Sequence, residues 1–347
     1  MNKVKIALAG LGKIGLLHLS ILKNIKNAEV VALMDKETGA AKRQIEGLGL
    51  DIPVFDSVER MIEETQPDGL VACVPPAVNK AMAQACLAKG ISLFIEKPMA
   101  GSLQDALAMT GLVPSQDAPA HAVGYMVAHY PLVQKAQELL KQNHLGQIRH
   151  YRASLYLAEV FERHEGWRQN PAISGGGAVA IVGSHLLYLV QSFFGLPHEV
   201  RARAIRLFAQ VEDIACATLE HENFFGDLHV SWSRPGYRDM GFNISVEGTE
   251  GFLELNEASL AVFRYQDHQK DGWQVYYPWD ITTNAPDHLE PGQMGYWAQD
   301  NDFIQAISER RPAKVTWEDG LKTQKLIEAI YRSSRIQGRG FALAELG

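Results

Sequence analysis

A run of apolar residues that leads directly into three closely spaced glycines constrains this chain more than any other feature. Residues 4–9 read VKIALA, a largely apolar stretch typical of a strand that is buried on both faces. Gly10, Gly12 and Gly15 follow in AGLGKIG, and a helical pattern of apolar residues begins immediately after this segment. A buried strand, a glycine turn and a helix in this order predict the first unit of a parallel α/β sheet.

The alternation of strand and helix continues through the first third of the chain, and a different pattern follows it. Further apolar strands are predicted at 29–34, 69–74, 91–95 and 120–125, with helical segments between most of them. After about residue 145 the strands are consecutive and separated by Gly or Asn turns, except where a helix is predicted at 177–194. We therefore predict an α/β fold, with an N-terminal doubly wound parallel sheet and a C-terminal α/β domain built on a large open antiparallel sheet.

The composition argues against several broad classes of protein. The 347 residues are 46% hydrophobic and 21% charged, and the net charge of −7 argues against nucleic acid or an anionic membrane as a partner. No run of about 18 apolar residues predicts a membrane span, and no signal-peptide pattern opens the chain, so we expect a cytoplasmic protein. Cys73, Cys86 and Cys216 share no C-x-x-C spacing and the histidines are scattered, so we expect buried thiols and no metal site.

The three glycines form the pattern G-x-G-x-x-G, which has a physical role at the start of such a sheet. Gly10 permits a tight turn, Gly12 lets the backbone approach a pyrophosphate, and Gly15 lets the helix pack against the strand. A pyrophosphate there would be bound by the N–H groups and the positive end of the helix dipole, at Lys13 and Ile14. The pattern therefore predicts a dinucleotide site in the first domain.

Asp35 ends the second predicted strand, twenty residues after Gly15. A carboxylate at this position accepts hydrogen bonds from the adenosine ribose, and it disfavours the 2′-phosphate of NADP. Lys36 follows immediately and would soften that discrimination. We expect NAD as the cofactor, with NADP as the alternative.

A second motif follows the predicted strand at 91–95, which runs into Glu96-Lys97-Pro98. Ligands bind at the carboxyl ends of strands in a doubly wound sheet, and a lysine there can donate a proton or a hydrogen bond to a substrate oxygen. Further along, GWRQNPAISGGG precedes GSH, and the chain ends in FIQAISERRPAKVTWEDGLKTQKLIEAIYRSS. Together with the glycine loop, these motifs resemble the Gfo/Idh/MocA family of oxidoreductases over almost the whole chain.

The resemblance implies a Rossmann domain, placed at 1–122, and a substrate-binding and oligomerisation domain, placed at 123–347. It implies transfer of a hydride between NAD(P) and the hydroxyl or carbonyl of a sugar, cyclitol or related cyclic compound. Lys97 matches the family's active-site lysine, and His185 matches its catalytic histidine, whose imidazole titrates near neutrality. The expected partners are a small-molecule substrate and a second copy of the chain, in a homodimer or homotetramer formed through the C-terminal sheet.

Further site residues are carried over from the same motifs. Arg168 is expected either to clamp an anionic or hydroxyl-rich substrate or to pair with a structural carboxylate. The other expected cofactor contacts are Pro75, Asn79, Glu96 and Lys97 itself, and the other expected substrate contacts are Tyr125, Trp167, Ile181 and Tyr188.

The chain also departs from the family's pattern. Ile181 stands one helical turn before His185, where the family typically has an aspartate. Tyr188 replaces an acid, Asn79 replaces a histidine and Ala128 replaces an arginine. Ile181 cannot accept a hydrogen bond from a substrate hydroxyl or from His185, so we expect a less polar cleft than the family's polyol enzymes have.

Two other functions remain open at this stage. An enzyme with tightly bound NAD could oxidise a sugar, eliminate or hydrolyse at a neighbouring bond, and then reduce the product. A non-catalytic regulatory protein could bind the dinucleotide without turnover. Retention of both Lys97 and His185 argues against the regulatory protein.

Overall fold

The computed structural model describes residues 3–113, 119–163, 165–266, 272–281 and 291–346. The chain divides into two compact units, Met1–Met126 with Gly292–Leu321, and Val127–Pro291 with Lys322–Gly347. The division proposed from the sequence, at 122/123, assigned 292–321 to the second domain. In the structure Phe303 and Ile304 are buried in the same apolar cluster as Ile6 and Leu8, so this segment belongs to the core of the first unit.

The described elements alternate as the sequence pattern indicates. The helices are α1 (Lys13–Asn24), α2 (Thr38–Gly47), α3 (Val58–Thr65), α4 (Asn79–Leu87), α5 (Leu103–Gly111), α6 (Pro131–Lys141), α7 (Pro171–Ser174), α8 (Ala178–Ile181), α9 (Gly183–Phe194), α10 (Pro291–Glu309) and α11 (Trp317–Arg335). The strands are β1 (Val4–Ala9), β2 (Ala28–Met34), β3 (Val54–Phe55), β4 (Gly69–Ala72), β5 (Ser92–Ile95), β6 (His121–Val123), β7 (Ile148–Tyr156), β8 (Glu199–Ile205), β9 (Ile214–Glu220), β10 (Phe225–Ser231), β11 (Gly241–Gly248), β12 (Gly251–Asn256), β13 (Leu260–Arg264), β14 (Trp273–Tyr276) and β15 (Phe341–Ala342).

The first unit contains the predicted doubly wound sheet. Among the described residues, six parallel strands pair in the order β3-β2-β1-β4-β5-β6. Strands β4 and β5 are buried throughout, as the continuous apolar runs predicted. The strand order reverses between β1 and β4, and such a switch point opens a crevice at the carboxyl ends of the strands.

The second unit contains a nine-stranded sheet within the described residues, in the order β14-β13-β12-β11-β7-β10-β9-β8-β15. Its pairs are antiparallel except for β7 and β10, which run parallel. The predicted large, mostly antiparallel sheet is therefore present, and it is mixed because of this one parallel pair. Helices α7, α8 and α9 connect β7 to β8, and this crossover lets β10 lie beside β7 in the same direction.

The two faces of this sheet differ in polarity. Along β7, Tyr151, Ala153 and Leu155 are buried, whereas Arg152 between them is exposed. The same alternation recurs on the neighbouring strands, and the buried side chains pack toward α8 and α9. One face of the sheet therefore forms the core of the unit, and the other is polar.

The predicted continuous helix at 177–194 is wrong. The structure has two helices, α8 and α9, separated at Val182, and the segment Pro171–Ile181 is bent by 57° relative to α9. A Cβ added at Gly183 would lie 3.0 Å from the Ala178 carbonyl oxygen and 3.1 Å from a methyl group of Val230, so glycine allows close packing at the bend. Among the described helices none is by itself long and apolar enough to span a membrane, and only this bent pair reaches that length and hydropathy together.

The cysteines do not share one environment. Cys86 is buried, and burial raises the pKa of its thiol to about 12. Cys73 is half-buried, and Cys216 is exposed on the polar face of the second sheet. The expectation of a buried thiol is wrong for Cys216, because the pleat of β9 directs this position away from the core.

Candidate cofactor and active site

Two glycines of the first loop are required by the packing of the protein itself. Gly10 follows β1 with φ of +88°, which favours glycine, and a Cβ there would collide with the backbone carbonyl of Cys73. Gly15 lies in the first turn of α1, where a Cβ would collide with the carbonyl oxygen of Gly10. The turn thus passes close to both β4 and α1.

Gly12 differs from these two because, among the described residues other than its two chain neighbours, no atom lies within 4 Å of the Cβ that it lacks. It is the N-cap residue of α1, and no side chain of the described protein caps this helix end. The first-turn N–H groups, those of Lys13 and Ile14 included, therefore face a space without a capping side chain. Open space beside a helix N-terminus fits the pyrophosphate of a dinucleotide.

Asp35 directly follows β2 and shapes this loop. Its Oδ2 accepts a hydrogen bond from the Leu11 N–H at 2.8 Å, and its Oδ1 accepts one from the Glu37 N–H at 2.9 Å. The carboxylate is half-buried and keeps further lone pairs for ribose hydroxyls. Lys36 is exposed. Asp35 therefore joins the second strand to the glycine loop, a role that spacing alone did not indicate.

Lys97 lies at the carboxyl end of β5, as predicted. Its backbone N–H donates to Glu96 Oε2 at 3.2 Å, and the Lys97–Pro98 peptide is cis. Glu96 is 9% exposed, and a Cβ added at Gly124 would lie 2.6 Å from its Oε1. The lysine is thus attached to a buried carboxylate in a closely packed turn.

Asn79 and Pro75 lie at the neighbouring strand end. Asn79 is fully buried at the start of α4, and its amide donates to the carbonyl of Met99 at 3.1 Å and to that of Pro98 at 3.5 Å. Pro75 is half-buried before the short 3₁₀ turn that leads into α4. In this structure Asn79 supports the segment after Lys97, whereas the sequence placed it among the cofactor contacts.

A buried ionic chain links Asp300, His18 and Glu96, and the sequence analysis missed it. His18 Nδ1 lies 2.9 Å from both carboxylate oxygens of Asp300, and Nε2 lies 3.2 Å from Glu96 Oε1. A histidine among the apolar residues of α1 was a local signal for a buried polar contact. Asp300 lies on α10, 282 residues further along the chain, and no local pattern connects the two.

The glycine triplet before His185 is explained by a buried carboxylate in the second unit. Gly176 has φ of +153°, and a Cβ there would collide with the Tyr331 hydroxyl. A Cβ at Gly177 would collide with the backbone carbonyl of Glu212. The Glu212 side chain accepts hydrogen bonds from the N–H groups of Gly177 at 2.9 Å and Val179 at 3.0 Å, and from the Tyr331 hydroxyl at 2.8 Å.

Glu212 therefore caps the N-terminus of α8 from a remote part of the chain. Burial and the neighbouring Glu212 charge raise the pKa of the Tyr331 phenol well above its ordinary value, so Tyr331 stays a hydrogen-bond donor. Sequence reasoning found the glycines but missed both Glu212 and Tyr331.

His185 lies in the first turn of α9 and is 3% exposed. Its N–H donates to the carbonyl of Val182 at 3.3 Å. Tyr188 lies one turn further along α9 and is 7% exposed, whereas Ile181 is the buried last residue of α8. Because the helix breaks at Val182, Ile181 and His185 do not share one continuous helical face, and that part of the sequence-based interpretation is wrong.

The remaining predicted substrate contacts have different environments. Tyr125, in the first unit, is fully buried. Trp167 is 39% exposed, and the Arg168 guanidinium lies 5.7 Å from the centre of its ring. Arg168 also forms an ion pair with the carboxylate of Glu159. Pairing with a structural carboxylate was one of the two roles expected from the sequence.

A doubly wound sheet with a glycine turn at its switch point and an acidic residue after its second strand defines a dinucleotide-binding protein of the Rossmann type. Residues 4–125 match the family model described as an oxidoreductase family with an NAD-binding Rossmann fold, and residues 133–254 match the GFO/IDH/MocA C-terminal domain. The chain belongs to the Gfo/Idh/MocA family of NAD-dependent oxidoreductases. NAD is its cofactor.

Similar proteins cover all or nearly all of the chain. A D-apiose dehydrogenase of Paraburkholderia graminis is 24% identical, over 100% of this chain and 91% of that protein. A glucose-6-phosphate 3-dehydrogenase of Bacillus subtilis is 24% identical, over 94% of this chain and 95% of that protein. The structure of a levoglucosan dehydrogenase in complex with NADH and levoglucosan is 17% identical, with a TM-score of 0.89 over 98% of this chain and 99% of that chain. That structural likeness confirms the fold.

Proposed function

We propose that this protein interconverts a hydroxyl and a carbonyl group on a sugar, a cyclitol or a related cyclic compound, with NAD as the hydride carrier. One observation carries the proposal: Lys97 follows β5 at the same sheet edge where the glycine loop follows β1. Only β4 lies between the two strands, so the loop and the lysine turn are about 10 Å apart at the usual strand spacing. That separation suits a cofactor bound at its pyrophosphate, with its nicotinamide end reaching toward the lysine.

The roles of the two polar side chains follow from their chemistry. NAD, when bound, accepts a hydride from the substrate carbon or returns one to it. The Lys97 ammonium donates a hydrogen bond to the reacting oxygen and so stabilises the negative charge that develops on that oxygen during hydride transfer. The His185 imidazole accepts the hydroxyl proton in the oxidative direction and returns it in the reductive direction.

The substrate class is inferred from the relatives and from the chain's own departures. The two curated relatives are named for acting on D-apiose and on glucose 6-phosphate, both sugars. Ile181 and Tyr188 stand where the family has acids, so the substrate presents fewer hydroxyl groups, or an apolar face, to this part of the second unit.

A substrate panel tests this proposal. Purified protein is first assayed for bound cofactor, and absorbance at 340 nm is then followed with NAD⁺ and with NADP⁺ across sugars, inositols, sugar acids and less polar cyclic alcohols. We expect turnover with NAD⁺, fastest on the less hydroxylated compounds. Activity confined to the most hydroxyl-rich compounds would contradict the role given to Ile181.

Variants separate the chemistry from binding. Lys97→Met and His185→Asn should each lower kcat at least 100-fold while retaining NADH binding. The matched controls are Lys141→Met and His198→Asn, each exposed in the second unit. Substrate loss without a net change at 340 nm would indicate transient oxidation instead, and NADH binding without turnover on any compound would indicate a regulatory protein.

We also propose that the polar face of the second sheet joins two or four copies of the chain. The strand register places Arg201, Thr218, Asp227, Arg152, Ser245 and Glu254 in one row across six strands. Two arginines and two carboxylates on one face allow a two-fold symmetric contact in which unlike charges meet.

The oligomeric state is measured by light scattering after size-exclusion chromatography. Wild type should have at least twice the chain mass, and the double variant Arg152→Glu/Arg201→Glu should shift toward the monomer. Arg60→Glu/Arg43→Glu, on helices of the first unit, is the charge-matched control. A monomeric wild type would rule out this contact.

A further inference from the structure

His18 connects three separate elements of the first unit through one imidazole ring. The residue lies on α1, the helix that follows the glycine loop, and its side chain is fully buried. Asp300 on α10 contacts one ring nitrogen, and Glu96 at the end of β5 contacts the other. The other oxygen of Glu96 accepts the Lys97 N–H at 3.2 Å. A continuous chain of hydrogen bonds therefore connects α10 to the backbone of the active-site lysine.

The geometry favours a doubly protonated ring. A neutral imidazole has one N–H donor and one acceptor nitrogen, whereas both nitrogens of His18 face carboxylate oxygens. Burial disfavours the charge, but the Asp300 carboxylate and the Cys73 thiol more than compensate, so the pKa of His18 is raised well above its usual value. The imidazolium therefore persists through neutral pH.

We propose that His18 is a positioning residue for Lys97: its imidazolium fixes the Glu96 carboxylate that holds the lysine backbone at the end of β5. The inference rests on the proposed function only in calling Lys97 an active-site group. When His18 loses a proton, one of its two carboxylate partners loses its N–H donor inside the core. The chain then transmits that change to the Lys97 N–H.

Other groups surround the ring, and their titration must be distinguished from that of His18. The titratable groups that face His18 are Asp300 of α10, Glu96 after β5 and Cys73 after β4, together with Tyr296 of α10, whose ring packs edge-on. Phe94 supplies a second edge-on ring and no charge. Burial raises the pKa of the Cys73 thiol, so a titration on the alkaline side requires a thiol control.

The test reads the Lys97 backbone directly in the full-length protein, without substrate. Protein labelled with ¹⁵N-lysine gives one amide signal for each lysine, and the Lys97 signal is the one that is lost in Lys97→Arg. Its chemical shift is followed from pH 6 to the alkaline limit of stability, and its exchange with solvent is measured at fixed pH. In wild type we expect one titration step, with a midpoint well above 6.5.

Three variants assign that step. Asp300→Asn should move the midpoint down by about 1–3 pH units, because it removes the opposite charge but leaves the histidine. His18→Gln should abolish the step and raise solvent exchange at Lys97 about tenfold, the factor expected for losing one charge-assisted hydrogen bond. Cys73→Ala should retain the step.

His121→Gln is the matched control, because His121 is also buried in the first unit but its ring stacks on Trp317. It should leave the Lys97 signal unchanged. The proposal is overturned if the Lys97 shift does not titrate, if the midpoint is the same in Asp300→Asn, or if Cys73→Ala removes the step. None of these readouts uses turnover, so a failure to find a sugar substrate would leave this result intact.

Discussion

At the scale of single residues, the three glycines of the first loop have different physical roles. Gly10 and Gly15 are required because a Cβ at either position would collide with protein backbone. Apart from its two chain neighbours, no described residue has an atom within 4 Å of the missing Cβ of Gly12, so the described part of the folded chain does not require a glycine there. The need for glycine at position 12 is therefore attributed to the cofactor.

This difference predicts opposite results for two alanine variants. Gly15→Ala should lower the Tm of the cofactor-free protein by at least 4 °C, since backbone must move to admit the methyl group. Gly12→Ala should leave that Tm within about 1 °C but weaken NADH binding at least tenfold. Thermal scans and NADH fluorescence titrations provide the two measurements. Unchanged NADH affinity in Gly12→Ala would place the pyrophosphate elsewhere.

Asp35 combines a structural and a recognition role on one carboxylate. Asp35→Asn removes the negative charge that disfavours NADP and weakens the bond from the Leu11 N–H. We expect the affinity for NADH to fall about tenfold. The ratio of the affinity for NADH to the affinity for NADPH should fall by a larger factor. Asp56→Asn, an exposed carboxylate in the same unit, should change neither value. If both cofactors were affected equally in Asp35→Asn, the carboxylate would act only on the loop.

At the scale of elements, the helix that carries His185 depends on a residue outside it. Helix α8 has four residues and no side-chain cap of its own, and Glu212, just before β9, binds the N–H groups at its start. Tyr331 of α11 secures the same carboxylate. The approach to α9 is thus fixed by tertiary contacts, because a helix this short has little intrinsic stability.

Removing these contacts in steps should give graded losses of stability. Tyr331→Phe should lower the free energy of unfolding by about 1 kcal/mol, since the backbone N–H groups keep their acceptor. Glu212→Ala should lower it by about 3 kcal/mol, because it leaves buried N–H groups without a partner. Urea unfolding measures both, with exposed Glu222→Ala as the control. Equal losses in the two variants would contradict the capping role.

At the scale of the whole molecule, the chain folds as two units. Each unit contains a buried histidine, and burial makes it harder to protonate that histidine. Burial lowers the pKa of His121, in the first unit, to about 4. Burial and the nearby His198 lower the pKa of His221, in the second unit, to about 4 as well. Between pH 6.5 and 4 the unfolded chain therefore binds more protons than the folded one at both sites.

The sign of this linkage predicts acid destabilisation. The contribution of His121 is fully present above pH 6.5, and it falls by about 1 kcal/mol for each pH unit below that value. His121→Gln should therefore lose less stability than wild type between pH 7.5 and 5, measured by urea unfolding at both pH values. Lys141→Gln changes an exposed residue outside these histidine sites and should follow wild type. An identical pH dependence in His121→Gln would show that another group dominates.

Much of the first unit could be predicted because its signals are local. The run at 4–9, the glycine spacing and the position of Asp35 each act within a few residues of a strand end, where backbone geometry alone decides the outcome. The same holds for Lys97, which follows its strand directly. These residues were placed correctly at the carboxyl edge of the sheet, while their contacts with a cofactor stay predictions.

The sequence by itself determined the order of strands and helices, the glycine turn and the residues that follow each strand, because periodicity and sterics operate over a few neighbours. Only the tertiary structure decided that a helix breaks at Val182, that Glu212 caps α8, and that Asp300 reaches His18 across most of the chain. Those contacts depend on which buried polar groups lie close together after folding. A buried charge must have a partner nearby in space, and separation along the sequence does not predict which residue that partner is.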